Sequence, residues 1–242
     1  MAPTPTTSMT GTVAVVTGGS RGIGYAVAET LGHMGAAVVI AATSAERVNR
    51  ATGELSAKGL ACEGFVCDVT DLDSVSKLGE HVRDRYGRVD ALVNNAGIGE
   101  KASLLHELDP KIWDKIFNTN VRGAYYMMRA LVPLMMESGG GHIINISSLA
   151  GKNPLPRGAA YSASKWALNG LSYSAAEELR SLNIRVSVVC PGSVDTEFSP
   201  HVGKSPDQML HPEDVAHVVA MLVTQRPQSF VSEVLMRPKR KS

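Results

Sequence analysis

The chain has 242 residues, 44% hydrophobic and 19% charged, a composition that suits a folded domain with a sizeable core and argues against a disordered chain. Its net charge of +1 gives no global reason to expect nucleic acid or an anionic membrane as a partner. No apolar run reaches the roughly 20 residues that span a bilayer, and the start Met1-Ala-Pro-Thr-Pro-Thr-Thr-Ser8 lacks the basic and apolar regions of a signal peptide.

A soluble cytoplasmic protein is therefore expected. The three cysteines, Cys62, Cys67 and Cys190, lack Cys-x-x-Cys spacing and read as small core residues. The seven histidines include no His-x-x-x-His pair, so no metal site is expected.

In chain order, residues 1–9, rich in Thr and Pro, are expected to be a disordered tail. The apolar, β-branched run Thr12–Thr17 reads as the first strand and is followed by Gly18-Gly19-Ser20-Arg21-Gly22-Ile23-Gly24 and a helix over 22–34. Glycines at such a junction permit a tight turn and let backbone N–H groups and the helix N-terminus approach a pyrophosphate. A second strand, Ala37–Ala41, leads to a helix over 45–58.

A carboxylate about 20 residues past the glycines would hold a ribose 2′-hydroxyl. Here Ile40-Ala-Ala-Thr-Ser-Ala-Glu-Arg47 carries no acid at the strand end, and Glu46, three after Thr43, reads as a capping-box residue. Thr43 and Ser44, with Arg21 and Arg47, suit a 2′-phosphate. NADP(H) is therefore favoured over NAD(H).

Further strands are expected at Ala61–Val66, Val89–Val93, His142–Ile146, Ile184–Val189 and Ser229–Met236, alternating with helices over 71–86, 110–137, 159–182 and 212–225. Continuous hydrophobicity fits strands buried on both faces, and alternation with helices implies parallel strands joined by right-handed crossovers. The expected fold is a single-domain, doubly wound (Rossmann) α/β sheet of about seven strands over residues 10–236, with helices on both faces and a solvated basic tail at 237–242. Ser193 to Leu210 has little periodicity and reads as an irregular excursion, a candidate lid.

Tyr161-Ser-Ala-Ser-Lys165 places a phenol and an ammonium on one helix face, where a cation favours phenolate and makes tyrosine a competent acid/base. Alone the spacing is common. Together with Thr17-Gly-Gly-Ser-Arg-Gly-Ile-Gly24, Asn94-Asn-Ala-Gly97, Asn120-Val121, Ile146-Ser-Ser148 and Pro191-Gly192, in that order along residues 11 to 236, it resembles the short-chain dehydrogenase/reductase family. Within that family the glycine loop and Ala-Thr-Ser after the second strand look like the 3-oxoacyl-(acyl-carrier-protein) reductases.

The resemblance implies that Gly18, Ser20, Arg21, Ile23 and Gly24 surround the dinucleotide phosphates and that Asp68 and Val69 border the adenine. Asn95, Ala96 and Gly97 line the cofactor, Asn94 is a further candidate, and Pro191, Gly192, Val194 and Thr196 hold the nicotinamide. Ser148, rather than Ser147, binds the substrate carbonyl, Tyr161 donates the proton, Lys165 lowers the tyrosine pKa and holds the nicotinamide ribose, and Asn120 interrupts its helix and relays protons through a bound water.

One departure is the ending Phe230-Val-Ser-Glu-Val-Leu-Met-Arg-Pro238, where many relatives carry Val-Asp-Gly-Gly; it weakens the acyl-carrier-protein assignment. Small ketones, quinones, steroids and sugar-derived carbonyls stay open as substrates, with Gly99, Leu149, Leu155, Phe198 and Met209 as pocket candidates whose small or apolar character argues against a sugar. The complete Asn120, Ser148, Tyr161 and Lys165 set argues against a catalytically silent dinucleotide sensor. The two long helices imply pairing across a two-fold axis, hence a homodimer or homotetramer.

Overall fold

The computed structural model describes residues 8–99, 102–198 and 208–239. Residues 1–7, 199–207 of the expected lid, and the tip of the basic tail lie outside the described residues. β1 (Val13–Thr17) is buried along its whole length, and its side chains alternate between two hydrophobic layers. β2 (Ala37–Ala42), β3 (Cys62–Val66), β4 (Ala91–Asn94), β5 (Gly141–Ile146), β6 (Ile184–Pro191) and β7 (Glu233–Met236) complete one parallel sheet in the order β3-β2-β1-β4-β5-β6-β7.

Helices α1 (Gly22–His33), α2 (Ala45–Ala57) and α7 (Pro212–Val223) cover one face, with Leu31, Leu55 and Val219 packed on Ala14, Val16 and Val93. Helices α3 (Leu72–Tyr86), α5 (Gly123–Glu137) and α6 (Ala159–Leu179) cover the other, with Leu78, Leu131 and Ala176 against Val15, Leu92 and Ile143. The strand order reverses between β1 and β4. A crevice at the carboxyl ends of these two strands is the place where such sheets receive ligands.

Several expectations are corrected. Burial on both faces holds for the central strands, whereas the two edge strands, β3 and β7, are only half-buried, since one side of each has no neighbouring strand. β7 begins at Glu233 rather than Ser229, and β6 runs on to Pro191, paired with Met236. Met9 is buried, and its N–H donates to Met34 O at 2.7 Å, so the ordered domain includes the end of the Thr/Pro segment. Ser44, not Thr43, caps α2 by accepting from Arg47 N, leaving Glu46 in the first turn where its charge faces the positive end of the helix.

The helix expected over 110–137 is two helices, α4 (Pro110–Phe117) and α5, joined by a π-helical turn at Asn118–Arg122. Among the described residues no helix is long and apolar enough to cross a membrane, and no group of three or more His, Cys, Asp or Glu stands ready for a metal ion. Cys67 and Cys190 are buried and Cys62 half-buried, all three as free thiols.

His142, on β5 at the end opposite the crevice, is 2% exposed. Its Nε2 lies 2.7 Å from Ser187 Oγ, whose proton is committed to Val231 O at 2.6 Å, so the ring donates through Nε2. Burial, helped by the nearby Arg185 charge, pushes its pKa from 6.5 down to about 3. The folded state thus binds fewer protons than the unfolded state between these values; stability is full above pH 6.5 and falls with acidification, by on the order of 1.4 kcal/mol per pH unit. Urea midpoints measured from pH 7 to 4 are expected to fall more steeply in the wild type than in His142→Gln; parallel curves would contradict this assignment.

Candidate active site

The crevice opens into a cavity of about 1380 Å³. From the β1 to β3 half it is lined by Gly18, Ser20, Arg21, Ile23, Thr43, Ser44, Arg47, Asp68 and Val69. From the β4 to β7 half it is lined by Asn95, Ala96, Gly97, Ser148, Tyr161, Lys165, Pro191, Gly192, Val194 and Thr196. Of the residues singled out in the sequence, Gly24, Asn94, Gly99, Asn120 and Met209 are not on its surface.

Gly24 acts one layer below. A Cβ there would lie 2.3 Å from Gly18 O and 2.5 Å from Asn95 Nδ2, so α1 closes on the sheet only if this residue is glycine. Gly18 itself sits at φ +64°, in the left-handed region that favours glycine. α1 follows Arg21, which gives it no side-chain cap, and has no acid in its first turn, leaving its positive end directed at the cavity. Thr17 does work that the sequence reading missed: its Oγ1 accepts from Asn95 N and Ala96 N, both at 3.0 Å, while Asn95 Nδ2 donates to Thr17 O and Gly18 O. These bonds tie the glycine loop to the end of β4 across the switch point.

On the opposite half, β5 ends at Ile146 and the chain turns through Ser147 and Ser148. Ser147 is buried, and its hydroxyl donates to Lys165 O at 3.4 Å. Ser148 caps the short 3₁₀ turn Leu149–Gly151 by accepting from Ala150 N, and its side chain is hydrogen-bonded to the Tyr161 hydroxyl. α6 carries Tyr161 and Lys165 one turn apart, with the ammonium 5.7 Å from the ring centroid. Lys165 is 4% exposed, and its Nζ donates to Ile146 O at 2.9 Å.

The electrostatics correct one expectation. Burial raises the Tyr161 phenol above its ordinary value of 10, opposed by the Ser148 hydrogen bond, and Lys165 does not figure among the causes. Burial lowers the Lys165 ammonium to about 8. The lysine points at the Ile146 carbonyl rather than at the phenol, so in the protein alone desolvation outweighs the cation on the tyrosine.

Asn120 lies in the π-helical turn and is 2% exposed. Its Oδ1 accepts from Ile98 N at 2.8 Å, and its Nδ2 donates to Ile98 O at 2.9 Å and Ser164 Oγ at 3.0 Å; Ser164 donates in turn to Tyr161 O. The widened turn therefore clasps the strand-end loop and braces α6. A Cβ on Gly97 would lie 3.3 Å from Asn120 Oδ1 and 3.6 Å from Lys165 Nζ, which places both polar groups beside this glycine.

After β6, Val194 bridges to Leu210, Asp195 N donates to Leu210 O, and Leu210 N to Ser193 O. Between these anchors Glu197 forms an ion pair with Arg21, and the Phe198 ring leans on Tyr161 at 5.8 Å between centroids. Leu149, Leu155 and Phe198 line the cavity and Gly99 faces Phe198, whereas Met209 is buried. Arg237, Pro238 and Lys239 also line it, so the described part of the basic tail is cavity wall rather than a free end. Only the pairing of β6 with β7 brings it there, and no sequence periodicity announces that contact.

A model of the short chain dehydrogenase family matches residues 12–207. The chain belongs to this family. A curated relative, an uncharacterised oxidoreductase of Staphylococcus saprophyticus, is 34% identical over 227 residues, covering 93% of this chain and 97% of that one. A solved metagenomic short-chain oxidoreductase in complex with NADP is 48% identical with a TM-score of 0.86, covering 96% and 99% of the two chains. An actinorhodin polyketide ketoreductase variant with NADPH is 31% identical with a TM-score of 0.87, covering 93% and 95%. The chain is accordingly an oxidoreductase of the NAD(P)-dependent short-chain class.

Proposed function

We propose that the protein is an NADPH-dependent carbonyl reductase, interconverting a ketone and a secondary alcohol, with 3-oxoacyl thioesters as the first substrate class to test. The observation that carries the reading is the hydrogen-bonded Ser148 and Tyr161 pair on the cavity wall with the buried Lys165 ammonium beside it.

The lining fits a phosphorylated dinucleotide. The uncapped start of α1 and the glycine loop suit the pyrophosphate, and Thr43 and Arg47 follow β2 with no carboxylate at the strand end, which suits a 2′-phosphate, while Arg21 is paired with Glu197. Ser44 contributes to this corner mainly as the helix cap. Asp68 and Val69 would flank the adenine, and Pro191, Gly192, Val194 and Thr196 the nicotinamide. The solved neighbours that carry NADP or NADPH support the preference. When bound, the nicotinamide supplies the hydride.

The protein's own groups do the rest. Ser148 and Tyr161 hold two hydroxyl donors on one oxygen of the substrate, where negative charge grows during reduction. Tyr161 gives up its proton to that oxygen, and its raised pKa keeps it protonated until the charge appears. Lys165 supplies the cation that steadies the resulting phenolate and a hydrogen-bond donor for the nicotinamide ribose, and Asn120 stands beside it to continue the proton path towards solvent. Tyr125 and Met136 on α5 and Trp166 and Tyr173 on α6 are exposed, which supports a homodimer or homotetramer built on these helices.

With an acetoacetyl thioester, a diketone, a quinone and a steroid ketone as a panel, NADPH oxidation is expected on at least one carbonyl, faster than with NADH. Tyr161→Phe is expected to cut turnover by about a hundredfold or more; a variant that kept full rate would overturn the assignment. Sedimentation is expected to show a dimer or tetramer, and a stable monomer would contradict the helix-pairing proposal.

A further inference from the structure

The strand order divides the cavity lining. The β1 to β3 half holds Arg21 and Arg47, whereas Arg237 and Lys239 follow β7, at the far end of the sheet, in the half that holds Ser148 and Tyr161. Their backbone is fixed there: Gly192 N donates to Met236 O at 2.9 Å, and Pro238 Cδ lies 3.2 Å from the position of a Cβ on Gly192. Two cations separated by the anchored Pro238 are thus held beside the loop that bears Ser148 and Leu149.

Among the described residues Arg237 and Lys239 make no ion pair, while the neighbouring cation Lys152 is bound to Glu233 at 2.5 Å. Among the described residues the carboxylates on the lining of this half are Glu197, which already pairs with Arg21, and Asp114 on α4, whose own helix brings Lys111 and Lys115 to the lining beside it. The same cavity is lined by the apolar side chains of Leu149, Leu155 and Phe198. A cavity with a hydroxyl pair at its floor, an apolar middle and two unpaired cations at its edge suits a ligand with a carbonyl at one end and a negative charge at the other.

We propose that Arg237 and Lys239 are specificity residues for an anionic carbonyl substrate, whose carboxylate or phosphate they receive while Ser148 and Tyr161 hold its carbonyl. The proposal rests on the carbonyl-reductase reading for the second half of that statement only, so binding and turnover test the two separately.

Calorimetric titration of the full chain saturated with NADP compares two matched pairs: 4-oxopentanoate against its methyl ester, and acetoacetyl-coenzyme A against the neutral N-acetylcysteamine thioester. At least one anionic member is expected to bind about tenfold or more tighter than its neutral twin. That ratio is expected to approach one in the Arg237→Ala/Lys239→Ala double variant and, independently of any variant, to shrink for the wild type as salt is raised. The pair that shows the preference identifies carboxylate or phosphate as the group recognised. Equal or absent binding of both members in both pairs, or a preference that survives the double variant, overturns the proposal. Charge-selective binding without NADPH oxidation on any of the four compounds upholds the anion site and overturns the reductase reading.

Discussion

An ammonium taken out of water needs a partner or gives up its proton, and Lys165 meets this constraint with a single backbone carbonyl. Ile146 O is available because β5 ends there, so the last carbonyl of the strand points at α6 instead of at a neighbouring strand. With one acceptor and little solvent, the ammonium is held at a pKa of about 8, poised between charged and neutral near physiological pH. The neighbouring groups are arranged around it: Ser147 bonds the Lys165 carbonyl, Ser164 the Tyr161 carbonyl, and Asn120 links Ser164 to Ile98. Rigid backbone around the pair fixes the tyrosine, whose hydroxyl is hydrogen-bonded to Ser148.

The same use of buried polar groups extends into the core. Asn94 donates to Asn145, Asn145 to Ser172, and Ser172 to Leu168 O, a chain that crosses from β4 through β5 into α6. Apolar side chains would fill this space as well, but directional bonds fix the register of α6 on the sheet and so the height at which Tyr161 and Lys165 emerge. On the other side of the switch point the Thr17 hydroxyl plays the corresponding part, locking the glycine loop to the end of β4. Phosphate-binding backbone and proton-transferring side chains are therefore coupled through β4, the strand they share.

The sheet, its helices and the cavity lining were legible in the sequence because they rest on local signals: β-branched runs, glycines at strand ends, and the absence of an acid after Ile40. The resemblance implied that Asn120 interrupts its helix, but the form of the interruption, a π-helical turn, was not legible. Residues 118–122 have ordinary right-handed helical neighbours and no proline or glycine until Gly123, so only tertiary bonds to Ile98 reveal why the helix widens. Gly24 was recognised as part of the loop, yet its role in packing against Gly18 and Asn95 depends on a contact across 70 residues of chain. Arg237 and Lys239 read as a solvated tail because charge runs at chain ends usually are; the pairing of Pro191 with Met236 is what carries them to the cavity. The sign of the Tyr161 shift was beyond sequence reasoning, since spacing gives the cation's proximity but not its preference for the Ile146 carbonyl.

Desolvation of Lys165 also has a thermodynamic signature. Its folded pKa lies below the ordinary 10.5, so its buried charge costs stability below pH 8, and that cost is relieved as pH rises from about 8 to 10.5. The direct measurement is an NMR titration of the full chain carrying ¹³Cε-labelled lysine, with the Lys165 resonance assigned by its loss in Lys165→Met. A midpoint near 8 for this one lysine is the expected result. A midpoint at the ordinary 10.5 would mean that the ammonium is not desolvated at Ile146, and would contradict the account of the site built upon it.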